Sequence, residues 1–187
     1  MKTWLSCVIK KIIHRFFFTT FIRAIAKATP DKHIYFIDLD NTIADTWPTL
    51  VNNIYANESE RLASLAVFIG MRKKVLDILS DERNFVLFVS ARSYFSLRDT
   101  RDWIKSIGII LPQENVIIVG HPMDKLDFIQ YAIKKGFEIT YIDDLSYNHE
   151  RGVVKYHYDV INKVRDLGIS YLNLNEIALI NKNCNAD

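Results

Sequence analysis

The stretch "HIYFIDLDNTIADT", residues 33–46, decides the fold. Its first part, residues 33–37, is apolar enough for a buried strand, and two aspartates separated by one residue, Asp38 and Asp40, follow at once. Burying carboxylates is costly unless cations or hydrogen-bond donors compensate them. The stretch therefore predicts a buried strand that carries two acids to a site where something compensates their charge.

Short apolar runs alternate with amphipathic segments over the rest of the chain. Further strands are predicted at 85–89, 115–119, 138–142 and 169–172, and helices at 71–79, 96–107, 124–135 and 159–167. Such alternation predicts an α/β fold, a Rossmann-like three-layer sandwich with a mostly parallel central sheet. Residues 45–70 exceed a minimal crossover and predict a small helical insert or cap.

The 187 residues predict one main domain, residues 31–187, preceded by a basic arm, residues 1–30. The arm holds six Lys and Arg and no acid, whereas the mildly acidic body has eighteen Lys and Arg against all 22 Asp and Glu. The apolar residues of the arm recur with a helical period up to Pro30. Cations interrupt every apolar run of the arm before it is long enough to span a membrane. This pattern leaves open a helix that contacts a membrane interface or a partner subunit, and one that packs on its own domain.

The two cysteines, Cys7 and Cys184, lie near opposite ends of the chain and have no metal-binding or redox spacing. A reducing cytoplasm is the expected location. If the arm meets lipid, we expect the protein at the inner face of the membrane.

Polar residues follow each central strand of the predicted sheet. Ser90, Ala91 and Arg92 follow the second strand, a lysine (Lys125) opens the helix after the third, and Asp143 and Asp144 follow the fourth. Ligands of open α/β sheets bind at the carboxyl ends of the strands, so these residues should converge with Asp38. A group of carboxylates there predicts a Mg²⁺ site, because Mg²⁺ prefers hard oxygen ligands.

The order "DLDNT", "VSAR", a helix-opening lysine and "YIDD" spans about residues 34–144. It resembles the four-motif signature of the haloacid dehalogenase-like (HAD) phosphatase superfamily. The resemblance implies that Asp38 is the nucleophile that becomes an aspartyl phosphate, and that Asp40 is the general acid and base. It also implies that Ser90 binds a phosphoryl oxygen and that Lys125 neutralises developing charge. For this chemistry we expect the pKa of Asp40 to be raised relative to that of Asp38.

The same resemblance implies that Asp38, Asp143 and the backbone carbonyl of Asp40 ligate Mg²⁺, with Asp144 ligating through water or orienting the other ligands. Arg92 could equally contact substrate phosphate or form a salt bridge, and Thr42 is expected mainly to hold the turn after the strand. The residues expected around the substrate are Thr42, Ser90, Ala91, Arg92 and Lys125.

The sequence leaves little room for a lid domain, which indicates an open site and a bulky phosphorylated substrate. The segment that begins with "VSAR" is similar to polynucleotide 3′-phosphatases, so polynucleotide 3′-phosphatase or nucleotidase activity is an alternative. The acidic body and the absence of a GxxxxGK[ST] motif make nucleic acid the weaker choice of substrate. The basic arm favours work at a membrane surface, for example in envelope or surface-glycan metabolism. A third alternative is a non-catalytic, membrane-docked binding partner.

Overall fold

The computed structural model describes residues 2–52 and 54–184, with side chains from Val8 onward. The side chain of Cys7 and those of the other residues before Val8 lie outside the described part. No helix among these residues is long and apolar enough to cross a membrane.

The chain alternates strands and helices, as the sequence predicts. In chain order the strands are β1 (His33–Ile37), β2 (Ala44–Asp45), β3 (Ala66–Val67), β4 (Asn84–Ala91), β5 (Val116–Val119), β6 (Glu138–Ile142), β7 (Ser146–Tyr147), β8 (Lys155–Tyr156) and β9 (Ser170–Leu172). The α-helices are α1 (Lys2–Ile25), α2 (Trp47–Asn52), α3 (Glu58–Ala63), α4 (Ile69–Ser80), α5 (Leu97–Ser106), α6 (Lys125–Lys134), α7 (Tyr158–Asp166) and α8 (Leu174–Cys184).

The central sheet is parallel, with the order β5-β4-β1-β6-β9. Strand β1 occupies its centre, where Ile37 pairs with Phe88 on one side and with Ile142 on the other. The predicted α/β fold with a mostly parallel central sheet is therefore confirmed. The central position of β1 places the aspartates that follow it between the carboxyl ends of two neighbouring strands.

Helices cover both faces of this sheet. Helices α1, α6 and α7 bury apolar side chains on one face, including Phe21, Phe128 and Val160. Helices α4, α5 and α8 cover the other face with residues that include Val75 and Trp103. Helix α8 was not predicted from the sequence; Ile177 is its one fully buried side chain, so its apolar stripe is short.

The second half of α1 belongs to the core of the main domain. Phe17 and Phe21 are buried, and the ring of Phe21 packs edge-on against Phe128 at a centroid distance of 5.2 Å. In contrast, Ile9 and Ile12 in the first half are exposed. Of the alternatives that the sequence left open, packing on its own domain therefore describes the second half of this helix.

The predicted insert, residues 45–70, contains the short helices α2 and α3, and strands β2 and β3 pair at its base. A second small element, the β7–β8 hairpin, follows the carboxyl end of β6 and was not predicted. Helix α2 lies against the turn of this hairpin, residues 149–151. Both elements follow carboxyl ends of central strands, so they flank the edge of the sheet where the predicted site residues lie.

Candidate active site

The ends of β1 and β6 bring two buried aspartates to one lysine. Lys125, the first residue of α6, donates hydrogen bonds of 2.6 Å from Nζ to Asp38 Oδ1 and to Asp143 Oδ2. All three side chains are almost fully buried. Burial opposes the charge of Lys125, but Asp143 and Asp38 outweigh it and raise the pKa of this lysine. The ammonium therefore stays charged and holds both carboxylates in place.

Asp144 completes a group of three acids. Asp38, Asp143 and Asp144 each offer a carboxylate oxygen, and these atoms lie within 4.8 Å of one another. Burial, with the charge of Asp143, raises the pKa of Asp38 to about 7, even though Lys125 acts in the opposite direction. The same two causes raise the pKa of Asp144 well above its ordinary value. One lysine therefore does not compensate three ionised carboxylates, and the oxygen-only donors of the group suit a hard divalent cation such as Mg²⁺.

Asp143 is held on several sides by groups that the sequence analysis missed. Tyr141 Oη donates to its carboxylate, the Leu145 backbone N–H donates to Oδ1 at 2.8 Å, and Tyr171 Oη donates to its carbonyl oxygen at 3.0 Å. Alternation along β6 could have indicated Tyr141, because residues two apart in a strand point to the same side. Tyr171 lies in β9, and it reaches Asp143 only because the strand order places β9 beside β6. Local sequence could therefore not indicate it.

Asp144 is fixed by the turn after β1 and by the hairpin. Thr42 Oγ1 donates to Asp144 Oδ1 at 3.4 Å and accepts the Asp144 backbone N–H at 3.3 Å. Ser146 Oγ also donates to this carboxylate. Thr42 is fully buried, so the structure places it as a link between two loops.

Asp40 lies in a separate environment. Arg92 donates to it from Nε at 2.6 Å and from Nη2 at 2.7 Å, and Ser90 and Thr46 donate from their hydroxyls at 3.1 and 2.8 Å. The Arg92 side chain is only 6% exposed, and its Nη1 donates to Thr100. Of the two roles that the sequence left open for Arg92, the structure shows the salt bridge.

The expected order of the two pKa values was wrong. Burial raises the pKa of Asp40, but the charge and hydrogen bonds of Arg92, with those of Thr46 and Ser90, outweigh it and lower this pKa to about 2. Asp38 has the raised pKa instead. The motif identified the two acids but carried no information about which one the arginine would approach.

A cavity of about 170 Å³ opens above these groups. The ring of Tyr147 stacks on that of His157 at a centroid distance of 4.6 Å, and both line the cavity. His157 was missed because no motif surrounds it. The cavity is lined by Asp38, Asp40, Ala91, Pro122, Lys125, Asp143, Asp144, Leu145, Ser146, Tyr147 and His157.

The structure therefore brings Asp38, Asp40, Ala91, Lys125, Asp143 and Asp144 to one cavity. The carboxylate of Asp40 lies outside the group of three acids. The resemblance implied a metal ligand at Asp40 only through its backbone carbonyl. Ser90 is fully buried beside Asp40.

Comparison with sequence-family models and with curated protein sequences gives no match. Comparison with solved structures finds the crystal structure of a class C acid phosphatase from Bacillus anthracis with tungstate bound. The TM-score is 0.50 at 14% sequence identity, and the alignment covers 86% of this chain and 76% of that chain. At this identity the likeness shows a shared fold.

Proposed function

We propose that this protein is a Mg²⁺-dependent phosphatase of the HAD type that hydrolyses phosphate monoesters through an aspartyl phosphate on Asp38. One observation carries the proposal. Three buried carboxylates meet within 4.8 Å beside a single lysine, at the carboxyl edge of a parallel sheet. When its three acids are ionised, such a group has a negative charge that one lysine does not compensate and that a cation would neutralise. The fold shared with an acid phosphatase and the order of the four motifs support the same conclusion.

The carboxylates of Asp38, Asp143 and Asp144 would hold Mg²⁺, together with the backbone carbonyl of Asp40. A bound Mg²⁺ would offset the repulsion between the phosphate and the carboxylates and would polarise a phosphoryl oxygen. Lys125 would support the same function from the protein side, because its ammonium already contacts the nucleophile.

In the first step, a carboxylate oxygen of Asp38 forms a bond to phosphorus while the bond to the ester oxygen breaks. The leaving oxygen takes a proton from Asp40. In the second step, water attacks phosphorus, gives its proton to Asp40, and the bond between Asp38 and phosphorus breaks. Inorganic phosphate and the free alcohol are the products, and both aspartates return to their starting states.

The environment of Asp40 suits the second step directly, because an ionised carboxylate accepts the proton of water. For the first step Asp40 must be protonated. A phosphate dianion beside it would raise its pKa by repulsion between like charges, against the effect of Arg92. We therefore propose that substrate binding itself prepares Asp40 to act as an acid.

Phosphate release from a panel of small phosphate monoesters, with Mg²⁺ or with a chelator, tests the proposal. We expect turnover that requires Mg²⁺ and that the variant Asp38→Asn loses. Equal turnover by the wild type and this variant would show that the nucleophile is misassigned. No turnover of any ester would favour the alternative of a non-catalytic binding protein.

Nucleic-acid ends remain the second substrate class. Lys125 is the one cation among the described side chains that line the cavity, and Arg92 is already paired with Asp40. Because a nucleic-acid site normally presents several cations to the phosphate backbone, these contacts favour other esters.

A further inference from the structure

Helix α1 spans the domain from one edge of the central sheet to the other. Near its end, Lys27 forms a 2.7 Å salt bridge with Glu114, which precedes β5 and so marks the amino edge. Ten to thirteen residues earlier, at Phe17 and His14, α1 contacts segments at the carboxyl edge. His14 Nε2 lies 3.0 Å from Asp127 in the first turn of α6, and Phe17 stacks on Tyr94, which follows β4.

The residues before His14 therefore extend past the carboxyl edge, the edge that holds the candidate active site. An α-helix rises 1.5 Å per residue, so the segment from Val8 to His14 projects by about 9 Å. Within the described residues, helix α1 is thus both a core element and a projection beside the site.

The segment from Val8 to Phe16, which includes this projection, is apolar and basic at the same time. Ile9, Ile12 and Phe16 are 48%, 63% and 63% exposed, and their spacing of three and four residues places them along one stripe of the helix. The cations Lys10, Lys11 and Arg15 are exposed on the same segment. None of these three has a carboxylate within 4.0 Å among the described residues.

Most other exposed large apolar side chains lie at the same edge. They belong to the segments that follow β1, β4 and β6, which are the insert, the loop before α5 and the β7–β8 hairpin with the start of α7. Exposed large apolar side chains gathered at one edge of a domain are typical of an interaction site. The residues are Trp47, Leu50, Val51, Ile54, Phe95, Tyr147, Val153, Val154 and Tyr158.

We propose that these residues, together with Ile9, Ile12, Phe16, Lys10, Lys11 and Arg15, form one docking face for an anionic lipid surface. The cavity above Asp38 opens within this face. The substrates would then be phosphate monoesters carried in the headgroup layer of a membrane, an assignment of substrate class that rests on the proposed phosphatase function.

The composition of the face is the reason to choose lipid as its occupant. Apolar side chains that enter the interface, combined with Lys and Arg that attract anionic headgroups, are the features of helices that lie in the membrane surface. A second copy of the chain would bring the same unpaired cations of α1 against each other, and like charges repel. Charge complementarity therefore favours an anionic surface over self-association.

Vesicle flotation with the full chain tests the docking face. The full chain is needed because removing α1 would also remove Phe17 and Phe21 from the core. We expect the wild type to float with vesicles of phosphatidylcholine and phosphatidylglycerol, and much less with phosphatidylcholine alone. The combined variant Ile9→Ser, Ile12→Ser, Phe16→Ser and the variant Lys10→Glu, Lys11→Glu should each bind at least about tenfold more weakly.

Matched controls lie elsewhere on the surface. Ile110 is 83% exposed in the loop that leads to β5, at the amino edge, and Lys105 is exposed in the last turn of α5. The variants Ile110→Ser and Lys105→Glu should bind anionic vesicles as the wild type does. The proposal would be overturned if the control variants lost as much vesicle binding as the α1 variants, or if the α1 variants bound vesicles like the wild type. It would also be overturned if the wild type formed a dimer in solution that the α1 variants abolish.

Turnover separates this proposal from the proposed function. The α1 variants should hydrolyse a soluble ester at the wild-type rate but a lipid-anchored phosphate monoester at least about tenfold more slowly, because only the latter requires docking. Inactivity of the wild type on all esters, with vesicle binding intact, would reject the phosphatase function alone. Equal rates on the anchored ester for wild type and α1 variants would reject the substrate class alone.

Discussion

Asp38 and Asp40 are separated by one residue, yet the structure gives them opposite electrostatic environments. Asp38 joins two other acids around one lysine, whereas Asp40 meets an arginine and two hydroxyls. Burial disfavours the charge of both, and the balance of neighbouring charges then decides the sign. The pKa of Asp38 rises to about 7 and that of Asp40 falls to about 2. The comparison teaches that burial of an acid does not by itself predict its protonation state.

The largest expected effect comes from replacing each acid in turn. Asp38→Asn should reduce phosphate release by at least about 10³-fold for every substrate, because no nucleophile remains. Asp40→Asn should slow alkyl phosphates by about 10²- to 10⁴-fold and aryl phosphates less, because an aryl leaving group needs less protonation. Steady-state rates on one alkyl and one aryl ester measure both effects. The same leaving-group dependence in both variants would contradict the division of roles.

The second prediction removes the cation that distinguishes Asp40. Arg92→Ala leaves this carboxylate without its main partner in a largely buried site, so the free energy of unfolding should fall by about 3 kcal/mol at neutral pH. Because the pKa of Asp40 is lowered by folding, its contribution to stability is present above about pH 4 and is lost as the pH falls towards 2. Urea unfolding at several pH values measures this difference.

Arg98→Ala is the matched control for Arg92→Ala. Arg98 is 91% exposed, and its pair with Asp102 spans 3.8 Å in solvent, so the variant should unfold like the wild type. Equal destabilisation by both substitutions would show that the Asp40–Arg92 pair has no special role.

The third prediction concerns the excess charge around Asp38. Its pKa is raised by folding, so its stabilising contribution is present at low pH and is lost as the pH rises from about 4 through about 7. Without Mg²⁺, the melting temperature should therefore fall over this range. Added Mg²⁺ should raise it by several degrees near about pH 8 and by much less near about pH 5, because the ion competes with protons.

Thermal unfolding with and without Mg²⁺ measures this difference, and Asp144→Asn provides the comparison. Removing one acid from the group should reduce both the pH dependence of the melting temperature and the increase in melting temperature that Mg²⁺ causes. A Mg²⁺ effect that is independent of pH, or unchanged in this variant, would argue against a metal site made by the three acids.

The smallest expected effects come from the tyrosines that hold Asp143. Tyr141→Phe removes a buried hydrogen bond to the carboxylate of Asp143 and should lower the free energy of unfolding by about 2 kcal/mol. Tyr171→Phe removes a bond to a backbone carbonyl and should cost about 1 kcal/mol. Denaturant unfolding measures both losses of free energy. Tyr158 is 65% exposed, so Tyr158→Phe is a control that should leave the free energy of unfolding unchanged. The reverse order would show that the carboxylate does not depend on Tyr141.

The chain itself determined the α/β fold and the acids at the strand ends, for physical reasons. Strands that are covered on both faces must be continuously apolar, as residues 86–89 are, and the polar residues that follow them mark the carboxyl edge. Local patterns of this kind also indicated most of the helices. The short apolar stripe of α8 and the two-residue strands of the hairpin carry too little periodicity to be predicted.

Tertiary structure decided what each acid contacts and which half of α1 is buried. Arg92 is 52 residues from Asp40, Tyr171 is 28 residues from Asp143, and Phe21 of α1 packs on Phe128 of α6 on one face of the sheet. The order of the strands and the packing of the helices bring the members of each pair together. Local sequence periodicity predicts neither the strand order nor the helix packing. The charges of Asp38 and Asp40 depend on distances of a few ångströms between remote segments, because electrostatic interactions in a buried site change steeply with separation and surroundings.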